Sequence, residues 1–152
     1  MNNYSHLATK SLAGELLSRE EAFSVLNTPN EDLTELLNAA FTVREKFFGR
    51  KVKLCVLQNA RSGLCPEDCS YCSQSRISKA PIDKYRLLPQ DELLAGARKA
   101  AQAGARRYCM VASGRGPSER DIAHLTDTTR QIRAEFPGLE ICVSLGLMSE
   151  PQ

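Results

Sequence analysis

The sequence predicts an α/β fold, in which a helical extension over residues 1–50 precedes parallel strands and crossover helices over 51–152. Three observations predict it. Apolar residues recur at three- and four-residue spacing up to Phe48, and from Val52 the period drops to two. Beyond that point the two periods alternate as strand, helix, strand, helix, strand. Alternation of this kind means a parallel sheet with right-handed crossovers.

The elements follow in order. Ser18-Arg19-Glu20-Glu21 has the pattern of a capping box and opens a short helix through Leu26. A longer helix is expected from about Glu31 to Phe48, with Leu33, Leu36, Leu37, Ala40 and Phe41 at helical spacing and Gly49 as its stop. The first strand follows, with Val52, Leu54 and Val56 on one face and Lys53, Cys55, Leu57 and Asn59 on the other. A turn-rich segment runs from Arg61 to Pro81. A helix from about Gln90 to Ala103 is entered through Pro89 and stopped at Gly104. The second strand is expected from Arg106 to Ser113. The next helix runs from Ser118, with Asp121 as a near capping box, to Phe136-Pro137, and the third strand from Glu140 to Leu145.

Leu139, Ile141, Val143 and Leu145 share one face of the third strand; Glu140, Cys142, Ser144 and Gly146 share the other. A parallel strand covered on both faces reads as continuously apolar. A small, polar second face suits the lining of a ligand-holding barrel instead. The same phasing puts Arg107, Cys109, Val111 and Ser113 inward on the second strand, so Cys109 and Cys142 face inward on neighbouring strands, and Cys55 has the inward parity of the first. Three strands alone would leave an open edge and a bare inner face, so the chain is expected to be part of a longer barrel.

Composition excludes several classes. Of 152 residues, 42% are hydrophobic and 25% charged, the balance of an ordinary globular domain. The net charge of +2 is spread along the chain, which gives no electrostatic case for nucleic acid or an anionic membrane. No apolar run approaches the ~20 residues of a spanning helix. Met1 to Leu17 lacks a basic segment followed by an apolar one, so no secretory signal is read and a cytoplasmic location is expected. His6 and His124 are isolated, and both are expected to be structural or exposed.

Six cysteines in a reducing compartment point to metal or catalysis rather than disulfides. Cys65-Pro66-Glu67-Asp68-Cys69-Ser70-Tyr71-Cys72 gathers three of them on the loop after the first strand, the end where barrel enzymes hold their sites. Three thiolates grip three corners of a 4Fe–4S cubane and leave the fourth iron open, whereas an electron-transfer cluster closes every iron. An open iron can bind the amino and carboxylate groups of S-adenosylmethionine (SAM), and an electron delivered to the sulfonium leaves a 5′-deoxyadenosyl radical. The competing reading is structural zinc. Zinc asks for four closed ligands from two spaced pairs, and neither a second nearby pair nor a histidine follows the motif.

Around the motif, Asn59 to Ser75 closely resembles the first-strand loop of the biotin synthase family within the radical SAM enzymes. Tyr108-Cys109-Met110-Val111-Ala112-Ser113-Gly114-Arg115-Gly116-Pro117 and Glu140 to Gly146 resemble that family too. The likeness covers about Lys51 to Glu150 and, more loosely, the N-terminal helices. It implies the first three strands of a TIM-type (β/α)8 barrel and a radical-SAM sulfur insertion that converts dethiobiotin to biotin. It further implies Cys65, Cys69 and Cys72 as 4Fe–4S ligands, and Cys109 and Cys142 as two ligands of a 2Fe–2S cluster that donates sulfur. The remaining 2Fe–2S ligands, a cysteine and an arginine, lie beyond Gln152 in the family pattern, so the chain by itself is expected to be inactive.

Cofactor contacts are expected at Tyr71, through its backbone, and at Ala112, Ser113 and Gly114. The resemblance also implies a homodimer and an electron donor such as flavodoxin or ferredoxin. Each residue has a plainer reading: Tyr71 as a ring packed over the cluster, Ala112 to Gly114 as the start of a turn, Cys109 and Cys142 as buried thiols. Cys55 is expected to pack inward near the second cluster. Arg107 either balances cluster charge or is a solvated strand end, and Glu67 and Asp68 shape the loop. The alternatives in function are another radical SAM member, such as a maturase of hydrogenase or pyrrolysine type, and a module that holds a metal or cluster for structure or sensing.

Overall fold

The computed structural model describes residues 4–150. They form two compact units, one through Val52 and one from Lys53.

In the first unit, α1 (Tyr4–Leu12) packs on α3 (Leu33–Phe48), with α2 (Arg19–Leu26) and a 3-10 turn (Asn30–Asp32) between them in the chain. Ser18 closes the expected capping box: its Oγ accepts from the Glu21 amide, and the Glu21 carboxylate accepts from the Ser18 amide at 2.6 Å. Lys10 pairs with the same Glu21 at 2.7 Å, which ties α1 to α2. The Tyr4 ring is buried and its hydroxyl reaches Thr28 Oγ1 at 3.0 Å. The expected stripe of α3 is divided. Leu36, Ala40 and Val43 line an apolar cavity of about 280 Å³ with Tyr4, Leu7 and Ala8, whereas Leu33, Leu37 and Phe41 are exposed. Helical spacing marks a wide apolar arc, and the elements packed on α3 cover only part of it.

The second unit is a three-stranded parallel sheet in the order β1 (Cys55–Arg61), β2 (Arg107–Ala112), β3 (Glu140–Ser144), with crossover helices α4 (Gln90–Gln102) and α5 (Glu119–Glu135). Both helices cover one face. Ala60, Tyr108, Met110, Leu139 and Leu145 point from the strands into Leu93, Ala97 and Ala100 of α4 and Leu125 and Ile132 of α5. Arg98 of α4 joins the helices at their outer surface, donating to both carboxylate oxygens of Glu135 at 2.7 and 2.8 Å.

Tyr108 sets the distance between α4 and the sheet. Its buried hydroxyl donates to the Leu93 carbonyl at 3.0 Å and sits 2.5 Å from the Gln58 side-chain amide. Burial pushes this phenol up to about 12. Gly96 makes room for the pair, because a Cβ there would lie 1.7 Å from Gln58 Oε1.

β1 begins at Cys55, not Val52. Val52 and Leu54 are exposed and precede the ladder, because β2 offers its first partner at Arg107, opposite Cys55. The register slips between Asn59 and Arg61, so Arg61 falls opposite Ala112 and the two-residue alternation ends at Asn59. α5 carries the second capping box, between Ser118 and Asp121. No helix is long and apolar enough to cross a membrane among the described residues.

Candidate functional site

The face of the sheet opposite the helices carries three cross-strand rows. Cys55, Arg107 and Glu140 make the first, Leu57, Cys109 and Cys142 the second, and Asn59, Val111 and Ser144 the third. The periodicity therefore put Cys109 and Cys142 on the correct face, and the register sets them directly opposite each other. Cys109 is buried and Cys142 half-buried. Burial pushes the Cys109 thiol up to about 11; Cys142 and Cys55 act in the same direction and a hydrogen bond with Ser144 opposes them. A metal that takes this sulfur as thiolate must displace a proton. Cys55 shares that face at the start of the sheet and is exposed.

The first row forms a charged cluster that sequence reasoning did not find. Glu140 accepts from Lys53 at 2.5 Å and from Arg107 Nη2 at 2.9 Å, while Arg106 lies 3.3 Å away. Lys53 first, and then Arg107, hold the Glu140 carboxyl down at about 2 against its desolvation. Arg107, the first residue of β2, is thus paired with Glu140 rather than free as a counter-charge. The signal was the register itself, which two-residue spacing does not reveal.

The cysteine loop leaves the opposite end of β1. Gly63 and Leu64 are consecutive left-handed residues, at φ 61° and 58°, just before Cys65. Leucine rarely adopts that conformation, and such strain gathers at sites whose surroundings enforce it. Here the enforcing contacts are visible. The Gly63 amide donates to Gln74 Oε1 at 2.9 Å, Ser62 and Tyr85 exchange backbone hydrogen bonds, and the Ser113 hydroxyl donates to the Gly63 carbonyl. Within the motif the Cys72 amide donates to the Cys69 carbonyl and the Ser75 amide to the Cys72 carbonyl, both at 3.2 Å. The Arg76 amide closes the loop on the Glu67 carbonyl at 2.9 Å. The Glu67 and Asp68 side chains pair with Arg115 and Arg76.

Cys69 is exposed, and Cys65 and Cys72 are half-buried. All six cysteines are free thiols. Among the described residues, no three Cys, His, Asp or Glu side chains are gathered as ligands of one metal ion. A cubane asks for something else, one thiolate on each of three corner irons. A loop carrying three free thiols has the donor set for it.

Tyr71 is 93% exposed, and its ring packs over nothing in the described residues. Ala112 and Ser113 are buried at the end of β2. The Ser113 hydroxyl is spent on Gly63, which ties β2 to the root of the cysteine loop. Arg61, missed by sequence reasoning, organises this end of the sheet. Its Nε donates to the Ser113 carbonyl at 2.6 Å and its Nη1 to Asp121 at 3.1 Å. Burial would raise the Asp121 carboxyl, but the Ser118 amide and hydroxyl and Arg61 together bring it below its ordinary value. Gly114, at φ 128°, lies against the same guanidinium, and a Cβ there would sit 2.9 Å from it. The loop after β3 closes on the loop after β2, with the Leu147 amide on the Arg115 carbonyl at 2.7 Å.

A parallel sheet with helices on one face and a three-cysteine loop at the strand ends defines a class. The sequence matches the radical SAM superfamily over residues 61–148, and the chain belongs to it. Membership implies a 4Fe–4S cluster and SAM as cofactors. Within that class, the chain is 48% identical over 152 residues to the biotin synthase of Bacillus subtilis strain 168, covering 100% of this chain and 45% of that protein. It is 47% identical over 150 residues to the biotin synthase of Halalkalibacterium halodurans, covering 99% of this chain and again 45% of the relative. The chain thus spans less than half the length of these relatives. In structure it is similar to methylornithine synthase, with TM-score 0.77 and 26% identity over 94% of this chain and 41% of that one. It shares a fold with HydG, a maturase of the FeFe-hydrogenase, at TM-score 0.69 and 19% identity over 94% of this chain and 32% of that one. The open sheet is the first three strands of a (β/α)8-type barrel.

Proposed function

We propose that the chain is the N-terminal part of a biotin synthase, whose whole protein inserts sulfur into dethiobiotin to give biotin. Cys65, Cys69 and Cys72 hold the 4Fe–4S cluster. Cys109 and Cys142 are two ligands of a 2Fe–2S cluster. The Tyr71 backbone, Ala112, Ser113 and Gly114 border SAM. When bound, the first cluster supplies the electron that cleaves SAM, and the second supplies the sulfur.

The observation that carries this reading is the placement of Cys109 opposite Cys142 on the sheet face away from the helices. A radical initiator alone needs only the loop triad. A second thiol pair on the inner face is what a reaction that also delivers sulfur adds. The chain's other residues hold the two sites in place. Gly63 and Leu64 turn the loop away from β1, the Ser113 hydroxyl anchors that turn, and Arg61 links the end of β2 to the cap of α5. The proposal includes a homodimer, a cytoplasmic location, and a flavodoxin or ferredoxin as electron donor.

The test is anaerobic reconstitution of the whole protein, with 5′-deoxyadenosine and biotin assayed from SAM and dethiobiotin. Both products are expected. SAM cleavage with no biotin would remove the biotin assignment and leave the radical chemistry; zinc uptake with no iron–sulfur absorbance would remove both.

A further inference from the structure

Ser75 stands out in the cysteine loop. It is only 8% exposed, and its Oγ is a buried polar atom without a hydrogen-bond partner. It lines a cavity of about 310 Å³ together with Cys65, Gln74, Ser78 and Lys84. Two side-chain acceptors that line the cavity with it are engaged: Gln74 Oε1 receives the Gly63 amide and Ser78 Oγ the Ala80 amide. Cys65 lines the same cavity. A thiol is a weak acceptor, whereas a thiolate on iron, or a sulfide next to it, is a strong one. A buried hydroxyl left without a partner calls for an explanation, and a group that becomes an acceptor only on metal loading supplies one.

We propose that Ser75 is a positioning residue whose hydroxyl donates a hydrogen bond to a sulfur at the Cys65 corner of the cluster. This rests on the reading that Cys65, Cys69 and Cys72 hold a 4Fe–4S cluster. The hydrogen bond fixes that corner in the loop and favours the reduced cluster, which carries the additional negative charge, so Ser75 holds the reduction potential up.

The full chain is reconstituted anaerobically with iron and sulfide as wild type, Ser75→Ala and Ser75→Thr. Potentials are read by EPR-monitored redox titration, and Fe–S stretching bands by resonance Raman in H2O and D2O. Ser75→Ala is expected to bind as much iron as wild type, to show a more negative midpoint potential, and to lose part of the deuterium shift. Ser75→Thr, which keeps the hydroxyl, is expected to match wild type. Without metal, the alanine variant should unfold at a urea concentration no lower than wild type, because the buried hydroxyl has no partner to lose. Loss of a merely structural serine would lower that midpoint and leave the potential alone. Alanine and wild type sharing one potential and one deuterium shift would overturn the proposal, as would a threonine variant that moves as far as alanine. If Ser75→Ala takes up no iron, absence of a deuterium shift in wild type overturns it and a shift retained in Ser75→Thr upholds it. A wild-type chain that takes up no 4Fe–4S cluster refutes the underlying cluster reading, a different outcome from an unmoved potential in a fully loaded protein.

Discussion

Cys109 of β2 and Cys142 of β3 are register partners, side by side on the sheet face that the helices leave free. The loop triad hangs from the end of β1, beyond the third cross-strand row, while the pair occupies the second. The two sets of thiols therefore answer to different mutations. Cys69→Ala is expected to abolish the 4Fe–4S signal of the reconstituted chain, and Cys109→Ala to leave it intact. EPR of the dithionite-reduced protein, with iron and sulfide counts, checks this. Equal loss in both variants would contradict the division.

Gly96 tests the packing behind the site. In Gly96→Ala the new methyl meets the Gln58 amide, with the Tyr108 hydroxyl 2.7 Å away. Overpacking of this kind costs about 1–3 kcal/mol. A lowered urea midpoint with unchanged slope is expected, and Gln58→Ala in the same chain should restore part of it. A Gly96→Ala protein as stable as wild type would mean that α4 moves away from β1 at no cost.

How much of this was legible in the sequence depends on the range of the interaction. The strands and crossover helices, the two capping boxes and the cysteine triad are local patterns, and each appears where its residues fall. The inward parity of Cys109 and Cys142 needed only a two-residue period. What escaped was set by partners distant in sequence. β1 starts at Cys55 because Arg107 is there to pair with it, and Glu140 collects Lys53, Arg106 and Arg107 because three strands begin together. Arg61 looked like a turn residue, but a register slip sends it to Asp121 on α5.

The Glu140 cluster predicts a pH dependence. Its carboxyl titrates at about 2 in the folded chain, against an ordinary 4.5, because the charged form is held by Lys53 and then Arg107. A depressed folded value stabilises the fold above pH 4.5, and that stabilisation is lost as pH falls from 4.5 towards 2. Glu140→Gln should therefore be less stable than wild type at pH 7, with the difference shrinking to nothing near pH 2. Urea midpoints at several pH values measure it. The group is partly exposed, so added salt should narrow the gap at pH 7.

Asp121 serves two partners at once, which makes its replacement informative. Its carboxylate accepts from the Ser118 amide at 3.0 Å to complete the cap of α5, and from Arg61 at 3.1 Å. Loss of a capping interaction costs about 0.5–2 kcal/mol. Asp121→Ala should fall in the upper part of that range, since Arg61 is left half-buried without its counter-ion. Asp121→Asn keeps an acceptor for the Ser118 amide but not the charge, and should recover part of the loss. The consequence at the site is separable from stability. Arg61 also grips the Ser113 carbonyl, and the Ser113 hydroxyl holds Gly63 at the root of the cysteine loop. If this chain of contacts positions the loop, Asp121→Ala will raise hydrogen exchange at the Gly63 and Ser113 amides more than at Ala97 in the middle of α4. Uniform acceleration at all three would mean that Asp121 contributes only to global stability.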